Sequence, residues 1–332
     1  MELRSDRRGF LKTTVAGLTA LAFGGLVSGC NGGSFAHGVA SGDPSSDGVV
    51  LWTRVTPSAA GEVPVLWEIA EDREFRRRVA GGIVKTDSSV DYTVKVDVGG
   101  LAPGHDYFYR FRSADGVSPV GQTRTLARGH VASFRMAVVS CAHFVQGYFH
   151  VYRELAARSD LDLVLHLGDY IYESGTTSGA VRNVMPEREL LDLASYRERY
   201  ASYRADPDLQ ALHARHPCLL VWDDHEVVNN AWRDGALGHA EDEGDYAARR
   251  DAAIQAYYEW LPVREPAGGA RARIFRSIEV GDLLRLHLLD TRHFGRERAL
   301  NIADYIDAQT GVVDQSRLQA DLAAPRALLG DD

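Results

Sequence analysis

The sequence predicts a small β-sandwich followed by an α/β domain. Three observations point there. From about Phe35 to Thr125, short runs of strand-forming residues are separated by turn signals, the spacing of a sandwich. After Arg128-Gly129-His130, apolar strands alternate with amphipathic helices, the pattern of a sheet buried on both faces. The 332 residues also fit two domains, at about 100–200 residues each.

Composition narrows the function. With 45% hydrophobic and 25% charged residues, the chain is globular and neither disordered nor of low complexity. Its formal net charge of -9 excludes tight non-specific nucleic-acid binding, because an acidic surface repels a phosphate backbone. A small phosphate ester is not excluded, since a bound cation reverses the field locally. The three cysteines, Cys30, Cys141 and Cys218, are odd in number and widely spaced. They imply no disulfide framework and leave one Cys141–Cys218 pair open.

The first 30 residues read as an export signal. Arg4 and Asp6-Arg7-Arg8-Gly9-Phe10-Leu11-Lys12 precede an apolar stretch from about Thr13 to Val27. That run is shorter than the about 20 residues a membrane-spanning helix needs. The paired arginines resemble a twin-arginine signal, with Asp6 where Ser or Thr is usual. Leu26-Val27-Ser28-Gly29-Cys30 resembles a lipobox that would make Cys30 a lipid-anchored N-terminus. The expectation is an exported protein, periplasmic or held at the outer side of the membrane, with the twin-arginine export machinery as a partner. A basic cytosolic helix and a chance run of small residues are the plain alternatives.

Asn31-Gly32-Gly33-Ser34 then reads as a linker into a β domain over 35–128. Strands are expected over Val49 to Val55, Val63 to Ala70, Tyr92 to Val98 and Tyr107 to Arg112. Ser46-Asp47-Gly48, Pro103-Gly104 and Asp115-Gly116 mark the turns. The stretch Val98 to Tyr107 resembles a fibronectin type III loop and strand, in which Tyr107 packs on the loop. The α/β part, 131–332, has expected strands over Phe134 to Ser140, Leu161 to Leu167, Pro217 to Trp222 and Leu283 to Leu289. Helices are expected over Tyr148 to Arg158, Glu187 to Tyr203 and Tyr246 to Trp260, and a mobile loop over Gly235 to Gly244. His166, inside a strand, reads as packing.

Three apolar strands end in polar clusters: Ser140-Cys141-Ala142-His143, Gly168-Asp169-Tyr170-Ile171-Tyr172-Glu173, and Asp223-Asp224-His225-Glu226 with Asn229-Asn230. Ligands of open α/β sheets bind beyond the carboxyl ends of the strands, so the three can converge. Thiolate, carboxylate, phenol, imidazole and amide together form a metal-ligand inventory. Each cluster also has a plain reading. Gly168-Asp169 can be a turn, Asp223 to Glu226 can cap a helix, and Cys141 can be a buried apolar residue.

Longer motifs resemble one family. His37-Gly38-Val39-Ala40-Ser41-Gly42-Asp43-Pro44 and Val50-Leu51-Trp52-Thr53-Arg54 resemble the opening of PhoD-type alkaline phosphatases. Ser140-Cys141, His166 to Glu173 and Trp222 to Asn230 resemble the core of that family, as do Ala256 to Arg264 and Leu289-Asp290-Thr291-Arg292. The resemblance implies a calcineurin-like metallophosphoesterase, an α/β/β/α sandwich behind a fibronectin- or Ig-like β domain. It further implies hydrolysis of phosphomonoesters and phosphodiesters with one Fe(3+) and two Ca(2+) ions. By analogy Cys141, Asp169 and Tyr172 ligate iron, Asp169 bridges to calcium, and Asp224 binds metal. His225 is assigned to the phosphate or leaving group, and Asn229 or Asn230 to a phosphoryl oxygen. Arg292 is either a phosphate clamp or a structural ion pair.

The resemblance also implies a downstream Gly-Asp-x-His motif, which does not occur between Asp290 and Asp332. This reads as a fragment or an interrupted reading frame. Two other classes remain: a phospholipase-like diesterase on the same scaffold, and an inactive truncated envelope protein. Export is testable directly. In cell fractionation, the Arg7→Lys, Arg8→Lys variant is expected to accumulate as cytoplasmic precursor, and Cys30→Ala to leave the membrane fraction. Equal maturation of wild type and the double variant removes the twin-arginine reading; unchanged membrane association of Cys30→Ala removes the anchor.

Overall fold

The computed structural model describes residues 34–329. The segment read as an export signal, with Arg7, Arg8 and Cys30, lies outside the described residues. Eight strands come first: β1 (Val39–Gly42), β2 (Gly48–Arg54), β3 (Val63–Ala70), β4 (Arg78–Thr86), β5 (Thr93–Gly99), β6 (Asp106–Ser113), β7 (Gly116–Val117) and β8 (Gly121–Arg124). One sheet runs β4-β3-β6-β7, with β8 also on β6, and faces β5-β2-β1. Strand alternation builds the core between them. Tyr107, Tyr109 and Phe111 of β6 point in and meet Val65 and Ile69 of β3, while Phe108 and Arg110 point out. The hydroxyl of Tyr107 accepts a hydrogen bond from the Ala102 backbone N–H at 2.9 Å, which pins the preceding loop as the fibronectin-like stretch suggests.

The second part contains β9 (Met136–Val139), α1 (His150–Ala157), β10 (Leu163–His166), α2 (Leu193–Arg204), α3 (Pro207–Arg215), β11 (Cys218–Leu220), β12 (Ala231–Trp232), β13 (Gly235–Ala236), α4 (Tyr246–Trp260), β14 (Arg276–Val280), β15 (Leu284–Leu288) and α5 (Gln315–Ala323). Strands β9, β10 and β11 pair in parallel. Strand β1 joins β11, also in parallel, so a single six-stranded sheet runs β5-β2-β1-β11-β10-β9. The sheet therefore continues through the boundary expected between 128 and 131.

That continuity explains the unbroken apolar run of β2. Val49 and Leu51 face the sandwich core, while Trp52 and Ala40 face the α/β core. The Trp52 indole N–H donates to the Glu259 carbonyl at 2.8 Å, tying β2 to α4. Gly42 sits at the seam, where a Cβ would lie 2.3 Å from the Pro262 carbonyl oxygen and 2.7 Å from that of Cys218.

Several expectations shift. The helix expected from Glu187 begins at Leu193, because Asp192 accepts the Ser195 N–H at 2.7 Å and caps it there. Helix α3 was not anticipated, although Asp206 caps it and Pro207 opens it. The Gly235 to Gly244 segment is an ordered half-hairpin and turn: Arg249 reaches His239 Nδ1 at 3.2 Å and Glu243 at 3.0 Å. Cys141 is exposed, Cys218 is buried, and both are free, so the pairing left open does not form. No described helix is long and apolar enough to cross a membrane.

Replacing Gly42 with alanine places a methyl against two carbonyls and is expected to destabilise the fold by about 1–3 kcal/mol. A thermal melt should show both parts affected together. An unchanged midpoint would show that the seam is not as tight as its geometry.

Candidate metal centre

The three polar clusters leave the carboxyl ends of β9, β10 and β11, and the structure brings them together. Backbone bonds join the first two: Cys141 N–H donates to the Gly168 carbonyl at 3.2 Å and Ala142 N–H to that of Asp169 at 2.8 Å. Gly168 lets the second loop lie on the third. It has φ 106°, and a Cβ there would sit 2.2 Å from the Asp223 nitrogen. Cys141 and Asp169 themselves take left-handed backbone, with φ of 57° and 54°, which turns their side chains into the same space.

Glu226 locks this arrangement. Its buried carboxylate accepts the backbone N–H groups of Asp169 at 3.0 Å, Tyr170 at 2.6 Å and Asp223 at 2.8 Å. Burial and the adjacent Asp169 push its carboxyl up to about 8, while the three donors favour the carboxylate. The plain reading of residues 223–226 as a helix cap is not what forms: Asp224 opens a single turn, with the Val227 and Val228 N–H groups on its carbonyl.

Asp169 is the centre of the donor set. Its Oδ2 lies 3.4 Å from the Cys141 sulfur and accepts the Tyr172 hydroxyl at 3.2 Å. Asp169, Asp224 and His225 offer ligand atoms all within 4.8 Å of one another. Burial raises the Asp169 carboxyl, as do the neighbouring Asp223 and Asp224 carboxylates. Burial, with Asp169 and Cys141 beside it, also holds the Tyr172 phenol well above its ordinary range. Two carboxylates, a thiol and a phenol converging this closely are groups whose charged forms a metal ion would favour, so the residues fit one.

His225 is set from behind. Its Nδ1 sits 2.7 Å from Glu173, whose other oxygen accepts the Asn229 N–H at 2.8 Å. Burial alone would lower the imidazole, but the Glu173 carboxylate outweighs it and raises it to about 9. The Tyr172 ring stacks on His225 at 4.2 Å and on His143 at 4.1 Å. The side chains of Asn229 and Asn230 are exposed at the rim, with Asn230 at φ 54° and its N–H on Asp224. Arg292 lies against Asp223 and reaches Asp224 at 3.4 Å. His166 is packed as expected, its Nε2 3.3 Å from the Tyr152 hydroxyl.

Four contributors carried no assignment in sequence: Glu226, Glu173, His143 and Arg199. Buried Arg199 donates to the carbonyls of Ser174, Met185, Pro186 and Arg188, and so shapes the loop after Tyr172. A glutamate after a strand-end carboxylate pair is visible; its backbone partners in a remote loop are not.

Comparison with known proteins decides the family. The PhoD-like phosphatase family matches residues 136–332, and its N-terminal domain matches residues 28–127. The chain belongs to the PhoD-like phosphatases. A PhoD-like relative, alkaline phosphatase D of Bacillus subtilis (strain 168), is 40% identical over 283 residues, covering 80% of this chain and 48% of that protein. A solved structure of PhoD is 36% identical with a TM-score of 0.77, covering 92% of this chain and 59% of that one. The chain thus spans about half the length of the curated relative it matches. The match to PhoD bears out the α/β fold with its β-sandwich.

Glu226→Gln keeps the shape but turns one acceptor into a donor facing a backbone N–H. Chemical denaturation is expected to show a loss of about 1–3 kcal/mol. A Gln variant as stable as wild type would mean that the loops hold without the carboxylate.

Proposed function

We propose that this protein hydrolyses phosphate esters, both mono- and diesters, at a metal centre held by Cys141, Asp169, Tyr172 and Asp224. The observation that carries the reading is the convergence on one oxygen of Asp169: the Cys141 sulfur and the Tyr172 hydroxyl both address Oδ2, with Asp224 and His225 close by. The kinship with an alkaline phosphatase D supports the substrate class.

Thiolate and phenolate suit iron(III), and a carboxylate shared outward suits calcium. When bound, such ions would neutralise phosphoryl oxygens and lower the pKa of a bound water. The protein's own groups supply the rest. Asp169 holds the donor set together through its two oxygens. His225, kept protonated against Glu173, offers an N–H to a phosphoryl or leaving-group oxygen. Asn229 and Asn230 present amides at the rim to orient the ester. Arg292 pairs with Asp223 and Asp224 and holds them in place. Export through the twin-arginine route, with an anchor at Cys30, places this chemistry outside the cytoplasm; that part rests on the first 30 residues.

Metal analysis and a chromogenic phosphodiester assay test the proposal on the purified protein. Asp169→Ala is expected to lose metal and activity together, beyond the about 10–100-fold that a change outside the ligands costs. Tyr172→Phe should keep the fold and remove a visible tyrosinate-to-iron band. A colourless, iron-free protein with full activity would sink the iron centre.

A further inference from the structure

Tyr172 lies between two imidazoles. His143 stacks on it with centroids 4.1 Å apart and planes 9° from parallel, His225 with centroids 4.2 Å apart and planes 29° from parallel. Two near-parallel rings this close cannot share one face of a phenol, so each covers its own. The two differ in what holds them. His225 is fixed by Glu173 at 2.7 Å. The ring nitrogens of His143 have no hydrogen-bond partner among the described residues.

The backbone of His143 is nonetheless set. Its N–H donates to the Cys141 carbonyl at 3.0 Å, its carbonyl accepts the Gln146 N–H at 3.1 Å, and the next residue, Phe144, donates its N–H to the Tyr203 hydroxyl at 3.2 Å. The imidazole is thus delivered by a pinned turn onto an otherwise open aromatic face. A phenol has a rotor about its ring axis and a swing about Cα–Cβ, and only the swing moves the hydroxyl. A slab on each face blocks that swing and leaves the hydroxyl on Asp169 Oδ2 at 3.2 Å.

We propose that His143 is a positioning residue: its imidazole serves as the outer slab that holds the Tyr172 phenol at Asp169, and it is not itself a ligand. The role deepens the metal-centre reading and rests on it for its consequence. Stacking needs a flat ring, not a nitrogen, so a phenylalanine can replace it. A ligand or proton carrier could not be so replaced.

The test uses His143→Ala and His143→Phe in the whole protein, with circular dichroism and a thermal melt to confirm folding. In the metal-free protein, 13C-labelled tyrosine resolves Tyr172 by NMR, assigned with Tyr172→Phe. His143→Ala should move the Tyr172 signal towards that of an unstacked ring, and His143→Phe should keep it displaced. With iron added, His143→Ala should bind about 10-fold more weakly and shift the visible band, and His143→Phe should restore both. Wild-type NMR shift and iron affinity in His143→Ala would overturn the proposal. So would loss of iron in His143→Phe equal to that in His143→Ala, which would make the nitrogen the active part. A wild type that binds no iron ends the metal-centre reading, while the metal-free spectra still decide whether His143 holds the phenol.

Discussion

One buried carboxylate holds the centre of this molecule together. Glu226 takes backbone N–H groups from its own loop and from a loop more than fifty residues earlier in the chain. A carboxyl this deep has no water to turn to, so the backbone donors that reach it hold it, and it them, firmly. The positions of Asp169 and Asp224 follow from that knot, because each belongs to one of the tied loops. So does Gly168, which must lack a side chain for the loops to touch at all. Of the residues that address Asp169, Tyr172 lies in one of the tied loops, and Cys141 lies in the turn after β9 that bonds the Gly168 and Asp169 carbonyls.

Around the knot stand supports that make no contact with Asp169 themselves. Glu173 sets His225 and the Asn229 backbone, Arg292 gathers Asp223 and Asp224, and Arg199 gathers the carbonyls of the loop after Tyr172. Polar groups so deep in a protein are tolerated only when their partners are complete. Here completeness and placement are the same thing: each support is satisfied by holding a neighbour in position.

How much of this was legible depends on the range of the interaction responsible. Local periodicity was readable. Strand β3 and helix α4 run over the residues their patterns marked, and Tyr107 does what its loop context suggests. The meeting of Cys141, Asp169, Tyr172 and Asp224 at one sheet edge was readable because each follows an apolar strand. Strand β4 was not, since its Gly81-Gly82 and outward Val79 and Ile83 blur the alternation. The start of α2 moved because a cap at Asp192 outranks the apolar pattern before it. Glu226 and His143 were unreadable in principle, because their partners are a backbone and a ring that only folding brings near. The same holds for the shared sheet: nothing in Val39 to Gly42 announces that its parallel neighbour lies far downstream.

That shared sheet has a consequence for how the protein is made. The ribosome delivers β1 roughly 180 residues before β11, the strand that completes its pairing, which at about 5–20 residues per second is a wait of roughly 10–35 s. During that interval one face of β1 and β2 has its sandwich partners, and the other, with Trp52, has none. The nascent chain therefore carries a greasy surface that belongs to a core not yet synthesised. Chaperones that shelter such surfaces, and codon choices that change the tempo between residues 54 and 218, should influence yield more than substitutions in either finished core.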